Sequence, residues 1–346
     1  KAYAGSADYF DASRLGCVDM VRAIRSPGST LKPFLYAFAL EEGLIHSKSL
    51  LLDAPLSISG YRPENFTQSF AGPVSASQAL IRSLNIPAVD LLDRLGVQFF
   101  DARLKQGGLQ LRYPGQAGPN LSIILGGVGT SLEDLVGAYA ALARKGLAGR
   151  LRYSKDAPVR ERRMLEPGAA YILREILYAN KRPDLPAGRL ALKTSRKVAW
   201  KTGTSYGYRD AWCIGVTGAY TIGVWVGRPD GSPLPGYYGR AVAAPLLFSL
   251  VDSLPDTYRP VKDVPESVSR QKICWPLGVA PKASSALGSK EDIEKADPLC
   301  QVQKTAWVLN NAIPPTLPDR NDQLWLSNPV RILVNLVRVY VSVHLD

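Results

Sequence analysis

Val198-Ala199-Trp200-Lys201-Thr202-Gly203-Thr204, Asp210-Ala211-Trp212-Cys213-Ile214-Gly215-Val216-Thr217 and Tyr220-Thr221-Ile222-Gly223-Val224-Trp225-Val226-Gly227 form the stretch that decides the fold. Each run is rich in β-branched and aromatic residues and is bounded by Gly, Asp or Arg, the composition of a strand. Connections this short join antiparallel neighbours, because a parallel crossover needs a dozen residues or more. Upstream, helical patterns dominate. Ser29-Thr30-Leu31-Lys32-Pro33-Phe34-Leu35-Tyr36-Ala37-Phe38-Ala39-Leu40-Glu41-Glu42-Gly43 has Ser29 at its start, Pro33 in the first turn and Gly43 as a C-terminal stop. It is apolar on most faces and therefore reads as a central buried helix. Further helices are expected at about 75–95, at 131–145 behind Ser131, Glu133 and Asp134, from Glu166 to about Asn180, and from about Gly239 to Leu254. Residues 2–10 read as a strand, 149–163 as an exposed hairpin or loop dense in Arg and Lys, and 181–189 as a loop. The expected class is α+β, a three-layer arrangement with helices covering an antiparallel sheet.

The 346 residues suffice for one large core, or one core plus a smaller module. An apolar share of 46% with 21% charged residues belongs to an ordinary globular protein, not a disordered or fibrous one. No segment offers the roughly 18 consecutive apolar residues of a membrane-spanning helix. The first residues, Lys1-Ala2-Tyr3-Ala4-Gly5, lack the basic-then-apolar order of an export signal, so the chain is expected to be part of something longer. A net charge of +12 suits an anionic partner or a well-solvated basic surface. The basic residues show no RNA-binding signature or zinc-finger spacing, so no nucleic-acid partner is expected. Cys17, Cys213, Cys274 and Cys300 form no CxxC pair and have only His46 and His344 to join them, which argues against a metal site. Cys274 and Cys300 are close enough in sequence to form a disulfide in an oxidising compartment, or to remain thiols elsewhere.

Three short motifs carry chemistry. Ser29-Thr30-Leu31-Lys32 is an S-x-x-K at a helix start, where i and i+3 share a face. The helix dipole there favours developing negative charge, and a lysine in a dry, cationic pocket can lose enough proton affinity to take the serine proton. A second match, Ser269-Arg270-Gln271-Lys272, has no apolar helix behind it and is set aside. Ser83-Leu84-Asn85, ahead of Ile86-Pro87, is an S-x-N that could equally be a polar turn. Lys201-Thr202-Gly203-Thr204 lies on a strand. There Gly203 is expected to clear space for a substrate strand, and Lys201 with the hydroxyls of Thr202 and Thr204 suits a carboxylate. Lys193-Thr194-Ser195, a near match, lacks the glycine.

S-x-x-K, S-D-N and K-T-G in this order form the signature of penicillin-binding proteins and class A β-lactamases, and the middle motif of this chain departs from it as S-L-N. Arg25-Ser26-Pro27-Gly28-Ser29-Thr30-Leu31-Lys32-Pro33-Phe34 resembles the nucleophile segment of the class A (bifunctional) penicillin-binding proteins. Tyr61-Arg62-Pro63-Glu64-Asn65-Phe66, Leu125-Gly126-Gly127 with Leu135 through Ala141, and Trp200 through Ser205 with Arg209-Asp210-Ala211-Trp212 are similar to the same family. The resemblance covers about residues 1–262 and is nearest the 1C branch. Ile273-Cys274-Trp275-Pro276-Leu277-Gly278 resembles the start of that branch's C-terminal module.

The resemblance implies a three-layer α/β/α transpeptidase fold with a five-stranded antiparallel sheet over 1–262, a linker at 263–272 and a small β-rich module at 273–346. It implies a DD-transpeptidase with Ser29 as nucleophile, Lys32 as its base and Ser83 as proton relay. Asn85, Lys201, Thr202, Gly203 and Thr204 would bind the D-Ala-D-Ala end of a peptidoglycan stem peptide, and the N–H groups of Ser29 and Thr204 would form the oxyanion hole. It implies no cofactor and no metal, inhibition by β-lactams, and a DD-carboxypeptidase side activity. It also implies cell-wall synthesis partners, an upstream glycosyltransferase domain, and a membrane anchor on the periplasmic side of the bacterial inner membrane. A β-lactamase would carry a deacylating glutamate in E-x-x-L-N, which is absent from this sequence. A β-lactam sensor or a cell-wall scaffold is the non-turnover alternative. The tail from Val330 to His344 reads as a strand pair or an interfacial helix.

Overall fold

The structure, a computed structural model, describes residues 2–183, 196–255, 264–281, 300 and 302–318. In chain order its elements begin with α1 (Lys32–Glu41), β1 (Leu50–Asp53), β2 (Gly72–Ser75), α2 (Ala76–Ile81), α3 (Ile86–Leu95) and α4 (Val97–Gln106). There follow α5 (Leu132–Tyr139), β3 (Leu147–Gly149), β4 (Glu161–Arg163), α6 (Pro167–Tyr178), β5 (Ala199–Thr204), β6 (Asp210–Val216) and β7 (Thr221–Gly227). The last are α7 (Ala244–Ser253), β8 (Val268–Trp275) and β9 (Val302–Leu309).

The central sheet runs β5-β6-β7, antiparallel throughout, as the short connections require. Its pleat sorts side chains to two faces. Trp212, Ile214 and Val216 of β6 enter the main core with α1, α5 and α6, while Cys213 joins Val224, Leu247, Phe248 and Val251 beside α7. Two glycines confirm the layering. An added Cβ at Gly215 would meet Leu247 of α7, whereas one at Gly223 would meet Val136 and Leu132 of α5. Helices therefore cover both faces, and α1, with Leu31 and Phe34 through Ala39 at most 1% exposed, lies at the centre.

Several expectations give way. Among the described residues the sheet has three strands, not five, and residues 2–10 form turns that pair with no strand and leave Tyr9 and Phe10 exposed. The helix expected at 75–95 is two helices. Ser83 adopts a left-handed φ of 59°, which no α-helix tolerates, and Pro87 then opens α3. The helix expected from Ser29 begins as a 3-10 turn, Gly28–Leu31, before α1. The 149–163 segment is part of a hairpin, with β3 paired to β4.

Beyond the linker, β8 pairs with β9 and Cys274 bonds Cys300. Residues 268–272, placed in the linker by the sequence, are strand, so Ser269 and Lys272 fall on opposite faces and cannot act together. The hairpin is docked on the main core through Trp307, whose N–H donates to Ser47 Oγ at 2.7 Å and whose ring packs edge-on against Tyr171. Lys193-Thr194-Ser195 and the tail from Val330 lie outside the described residues.

Candidate active site

Ser29 sits in the 3-10 turn that precedes α1, and three hydrogen bonds hold that turn. Trp212 Nε1 donates to Ser26 O at 2.7 Å, Tyr139 Oη donates to Thr30 O at 2.5 Å, and Ser26 Oγ donates to Gly126 O at 2.7 Å. The first i→i−3 bond of the turn runs from Thr30 N to Pro27 O, so the Ser29 N–H lies ahead of it and is left out of the helical ladder.

β5 lies alongside this turn. Ser205 N donates to Asp210 O across the sheet, and successive N–H groups of a strand alternate in direction. The Thr204 N–H therefore points away from β6, towards the nucleophile turn. The two backbones touch: a Cβ on Gly28, whose φ is +53°, would lie 2.5 Å from Thr204 O, and one on Gly203 would lie 2.3 Å from Pro27 O. Gly203 thus makes room for the protein's own nucleophile segment, not for a substrate strand as expected. Thr202 and Thr204, two apart, share the opposite side of the strand. Thr204 Oγ1 accepts from Gly239 N at 3.0 Å, which leaves its own proton to donate.

The three motifs meet at two buried ammonium groups. Lys32 Nζ donates to Ser83 O at 2.8 Å, Leu84 O at 2.9 Å and Asn85 Oδ1 at 2.6 Å. Lys201 Nζ donates to Ser83 Oγ at 2.7 Å and Thr202 O at 2.9 Å. Burial drives the Lys32 pKa well below the usual lysine range, the nearby Lys201 charge pushes the same way, and Asp53 opposes them. Burial likewise lowers Lys201 to about 7, against a weaker opposing effect of Cys213 and with Arg240 adding to the fall. Ser29 Oγ makes no hydrogen bond to Lys32 or Ser83 among the described residues. A neutral Lys32 amine has two protons to donate, so it gives up one of its three bonds and carries a lone pair that can accept the serine proton.

A second layer was missed by sequence reasoning. Asp53, fully buried at the end of β1, accepts from Asn65 Nδ2 at 2.7 Å and from Ala71 N at 2.7 Å. Asn65 Oδ1 accepts from Asn85 N at 2.9 Å, and Asn85 Nδ2 donates to Glu64 O at 2.7 Å. A chain Asp53–Asn65–Asn85–Lys32 therefore runs from a buried carboxylate to the proposed base. Asn65 lies within a segment that resembles the family, but no role follows from its position there. Asp53 closes the apolar run Leu50-Leu51-Leu52, and a carboxylate ending a buried strand was the available signal. The Phe66 ring, one residue from Asn65, stands 5.7 Å from Tyr208 in the β5–β6 connection and 5.7 Å from Tyr238. No group of acidic, His or Cys side chains that could hold a metal occurs among the described residues.

The sequence matches the family described as penicillin binding protein transpeptidase domain over residues 11–250, and the penicillin-binding protein 1C linker domain over residues 267–308. Penicillin-binding protein 1C of Escherichia coli (strain K12) is 48% identical over 324 residues, 92% of this chain and 40% of that protein. Penicillin-binding protein 1A of Neisseria gonorrhoeae is 29% identical over 65% of this chain and 31% of its own length. The chain thus spans less than half the length of these curated relatives. Among solved structures, penicillin-binding protein 1A from Haemophilus influenzae superposes with a TM-score of 0.66 at 18% identity, covering 87% of this chain and 50% of that one. The PonA1 protein from Mycobacterium tuberculosis in complex with penicillin V superposes at 0.59 and 24% identity, over 70% and 72%. These structural likenesses establish the fold, and the sequence match establishes the lineage. The chain belongs to the penicillin-binding protein transpeptidase family.

Proposed function

We propose that this domain is a serine D-Ala-D-Ala transpeptidase of peptidoglycan synthesis, with Ser29 as the residue acylated by stem peptides and by β-lactams. The observation that carries the reading is the pair of buried lysines on either side of Ser83, Lys32 on its carbonyl and Lys201 on its hydroxyl. A structural turn has no need to desolvate two ammonium groups, at a cost of several kcal/mol each.

In this reading neutral Lys32 takes the Ser29 proton as Oγ attacks the carbonyl of the terminal D-Ala-D-Ala bond. The N–H groups of Ser29 and Thr204 receive the oxyanion, a contribution worth about a hundredfold or more in rate per donor in comparable sites. Ser83, whose oxygen already accepts from Lys201, relays the proton: its hydroxyl gives one to the departing D-alanine amine and takes back the one that Lys32 received from Ser29, so Lys32 ends neutral and Ser83 ends as the hydroxyl. Asn85 has one N–H on Glu64 O and directs the other to the substrate amide. Lys201, Thr202 and Thr204 hold the terminal carboxylate. An amine from a neighbouring stem then attacks the acyl-enzyme to form the crosslink. Water in its place gives a DD-carboxypeptidase side reaction.

The proposed division is a transpeptidase domain over 1–262 followed by a C-terminal module. The proposed natural protein also carries an upstream glycosyltransferase domain and a membrane anchor, with this domain on the periplasmic side of the inner membrane among other cell-wall synthesis proteins; that the chain covers 40% of the 1C relative supports a longer protein. No helix among the described residues is long and apolar enough to cross a membrane.

Intact-mass spectrometry with a penicillin tests the core of this. One adduct that persists for hours on the wild type and is absent from Ser29→Ala is expected. Rapid hydrolytic release would indicate a β-lactamase, and no adduct on the wild type would overturn the reading.

A further inference from the structure

Residues 144–163 hold eight basic residues and two acidic ones, which places six of the chain's twelve net positive charges within 20 residues. They fold as the β3–β4 hairpin, seated so closely on α5 that a Cβ on Gly137 would lie 2.5 Å from Gly149 O. Between the hairpin, α5 and the loop after α4 lies a cavity of about 650 Å³.

The arginines of this region divide into two groups. Arg144 pairs with Glu161, Arg163 caps Lys145 O and Leu165 O, and Arg152 bonds Lys155 O and Ala157 O, so these three hold the hairpin together. Arg112, Arg150, Arg160 and Arg162 instead line the cavity and are exposed, and their guanidinium groups have no hydrogen-bond or ion-pair partner among the described residues. The carboxylates of the same cavity are already engaged: Glu161 by Arg144, Glu133 by Arg22 at 3.6 Å, and Asp134 by Ser131 Oγ at 2.7 Å. What remains is a concave surface with four guanidinium groups on two walls, against which Asp134, held by a neutral hydroxyl, leaves one carboxylate charge without a cation of its own.

The groove is tied to the nucleophile turn by backbone. Arg112 exchanges hydrogen bonds with Gly129, and Thr130 exchanges them with Arg25, four residues before Ser29. Ile24 lines the groove itself. Five residues of fully extended chain reach at most about 18 Å, so a ligand in the groove lies within that order of distance from the acylation site.

We propose that this groove binds the carboxylates of uncrosslinked peptidoglycan stem peptides, as an accessory site that holds the polymer beside Ser29. The proposal rests on the transpeptidase reading for its ligand. Guanidinium forks recognise carboxylates bidentately, and a concave site with charge on two facing walls suits a linear chain rather than a flat bilayer.

The test uses the full chain with Ser29 blocked by penicillin, so that only binding outside the acylation site is measured. The probes are soluble uncrosslinked glycan strands bearing pentapeptides and the same strands stripped of peptide by an amidase. Wild type is expected to bind the peptide-bearing strands, in a manner weakened by salt, and the stripped strands at least about tenfold less tightly. The variant Arg112→Gln/Arg150→Gln/Arg160→Gln/Arg162→Gln is expected to lose about tenfold or more in binding while its rate of penicillin acylation stays unchanged. Equal binding of stripped strands, or undiminished binding by the variant, overturns the proposal. So does groove-dependent binding to anionic phospholipid vesicles or to polyglutamate without binding to strands. If penicillin fails to acylate the wild type, the transpeptidase reading falls, and strand binding by Ser29→Ala with and without the groove substitutions still decides the groove.

Discussion

Lys201 Nζ and Ser83 Oγ are 2.7 Å apart although 118 residues of sequence separate them, and both are held in conformations that cost free energy. Lys201 is desolvated at the sheet edge, and Ser83 carries a left-handed φ of 59°. The contact survives because β5 and the α2–α3 turn are each fixed by core packing, which sets the hydroxyl where the ammonium must be.

That contact should be visible in pH dependence. Lys201 is lowered to about 7, chiefly by burial, so its charge is present below pH 7 and lost above it. Lys32 is also lowered and is a base only when neutral. The rate constant for acylation by a fluorescent penicillin should therefore fall on the alkaline side with a midpoint near 7, reporting the free enzyme. Lys201→Arg should carry its charge past pH 9 and remove that limb, though at a lower rate. A wild-type profile flat from pH 6 to 9 would show that Lys201 does not titrate there. For stability the sign is separate: the unfolded chain binds the Lys201 proton more tightly between about pH 7 and 10.4, so this group favours folding more as pH rises through that window.

Ser83→Gly separates the strain from the chemistry. Glycine accepts a left-handed φ without the Cβ penalty of about 1–2 kcal/mol, which outweighs its greater entropy loss of about 0.5–1 kcal/mol. Thermal stability is expected to stay within about 1 kcal/mol of wild type, while acylation falls by about a hundredfold or more through loss of the relay hydroxyl. Ser83→Ala should lose as much activity and be the less stable of the two. Melts and acylation rates on both variants check the ordering, and an active Ser83→Gly would remove the hydroxyl from the mechanism.

How much of this was legible follows from what leaves a trace at fixed spacing. Ser29, Lys32, Ser83, Asn85 and Lys201 could be singled out because their chemistry demands particular residue types in order, and the strands β5–β7 because alternation and short turns leave no other topology. The Asp53–Asn65–Asn85 chain could not be, since a buried hydrogen-bond path among loops obeys no periodicity. The break between α2 and α3 was hidden for a similar reason: the left-handed residue is a serine, not a glycine. Gly203 was noticed but misread, because the atom it must avoid, Pro27 O, belongs to a distant segment. Residues 2–10 have strand composition but pair with no strand among the described residues.

Gly203→Ala would place a methyl 2.3 Å from Pro27 O and 2.7 Å from Thr30 Cγ2, both beside Ser29. Thr30 Cγ2 is a side-chain methyl, but Pro27 O is backbone and cannot yield without moving the nucleophile turn, so β5 and the turn must separate. Overpacking of this kind costs about 1–3 kcal/mol, and the displacement should reduce acylation by more than the stability loss explains. A variant that melts lower yet acylates at the wild-type rate would show that the close approach serves packing alone.

Asp53→Asn tests whether the buried carboxylate tunes the base or only supports the loop. Asp53 is the group that raises the proton affinity of Lys32 against burial and Lys201. Without its charge the Lys32 pKa falls further, so the acid limb of the acylation profile should move to lower pH. The maximal rate should drop by about tenfold as Asn85 loosens, in keeping with a lost buried hydrogen bond to a charged group. A uniform loss with an unmoved acid limb would assign Asp53 a supporting role only.

His46 ties the C-terminal hairpin region to the main core, and its titration should be felt there. Its Nε2 lies 2.8 Å from Gly278 O and must donate, while Nδ1 accepts from Lys48 N at 3.1 Å, so the ring fits only in its neutral form. Burial lowers its pKa below the usual histidine value, with the Gly278 contact opposing. The folded state therefore binds a proton less readily than the unfolded state, whose pKa is about 6.5. The stability this histidine contributes is complete above that value and is lost as pH falls below it. Thermal melts from pH 7.5 to 5 should shift down by about 2–4 °C for each kcal/mol lost. His46→Gln, which can place a donor near Gly278 O but cannot titrate, should be less stable at pH 7.5 and less sensitive to acid. Equal acid sensitivity in the two proteins would mean that other groups govern the loss.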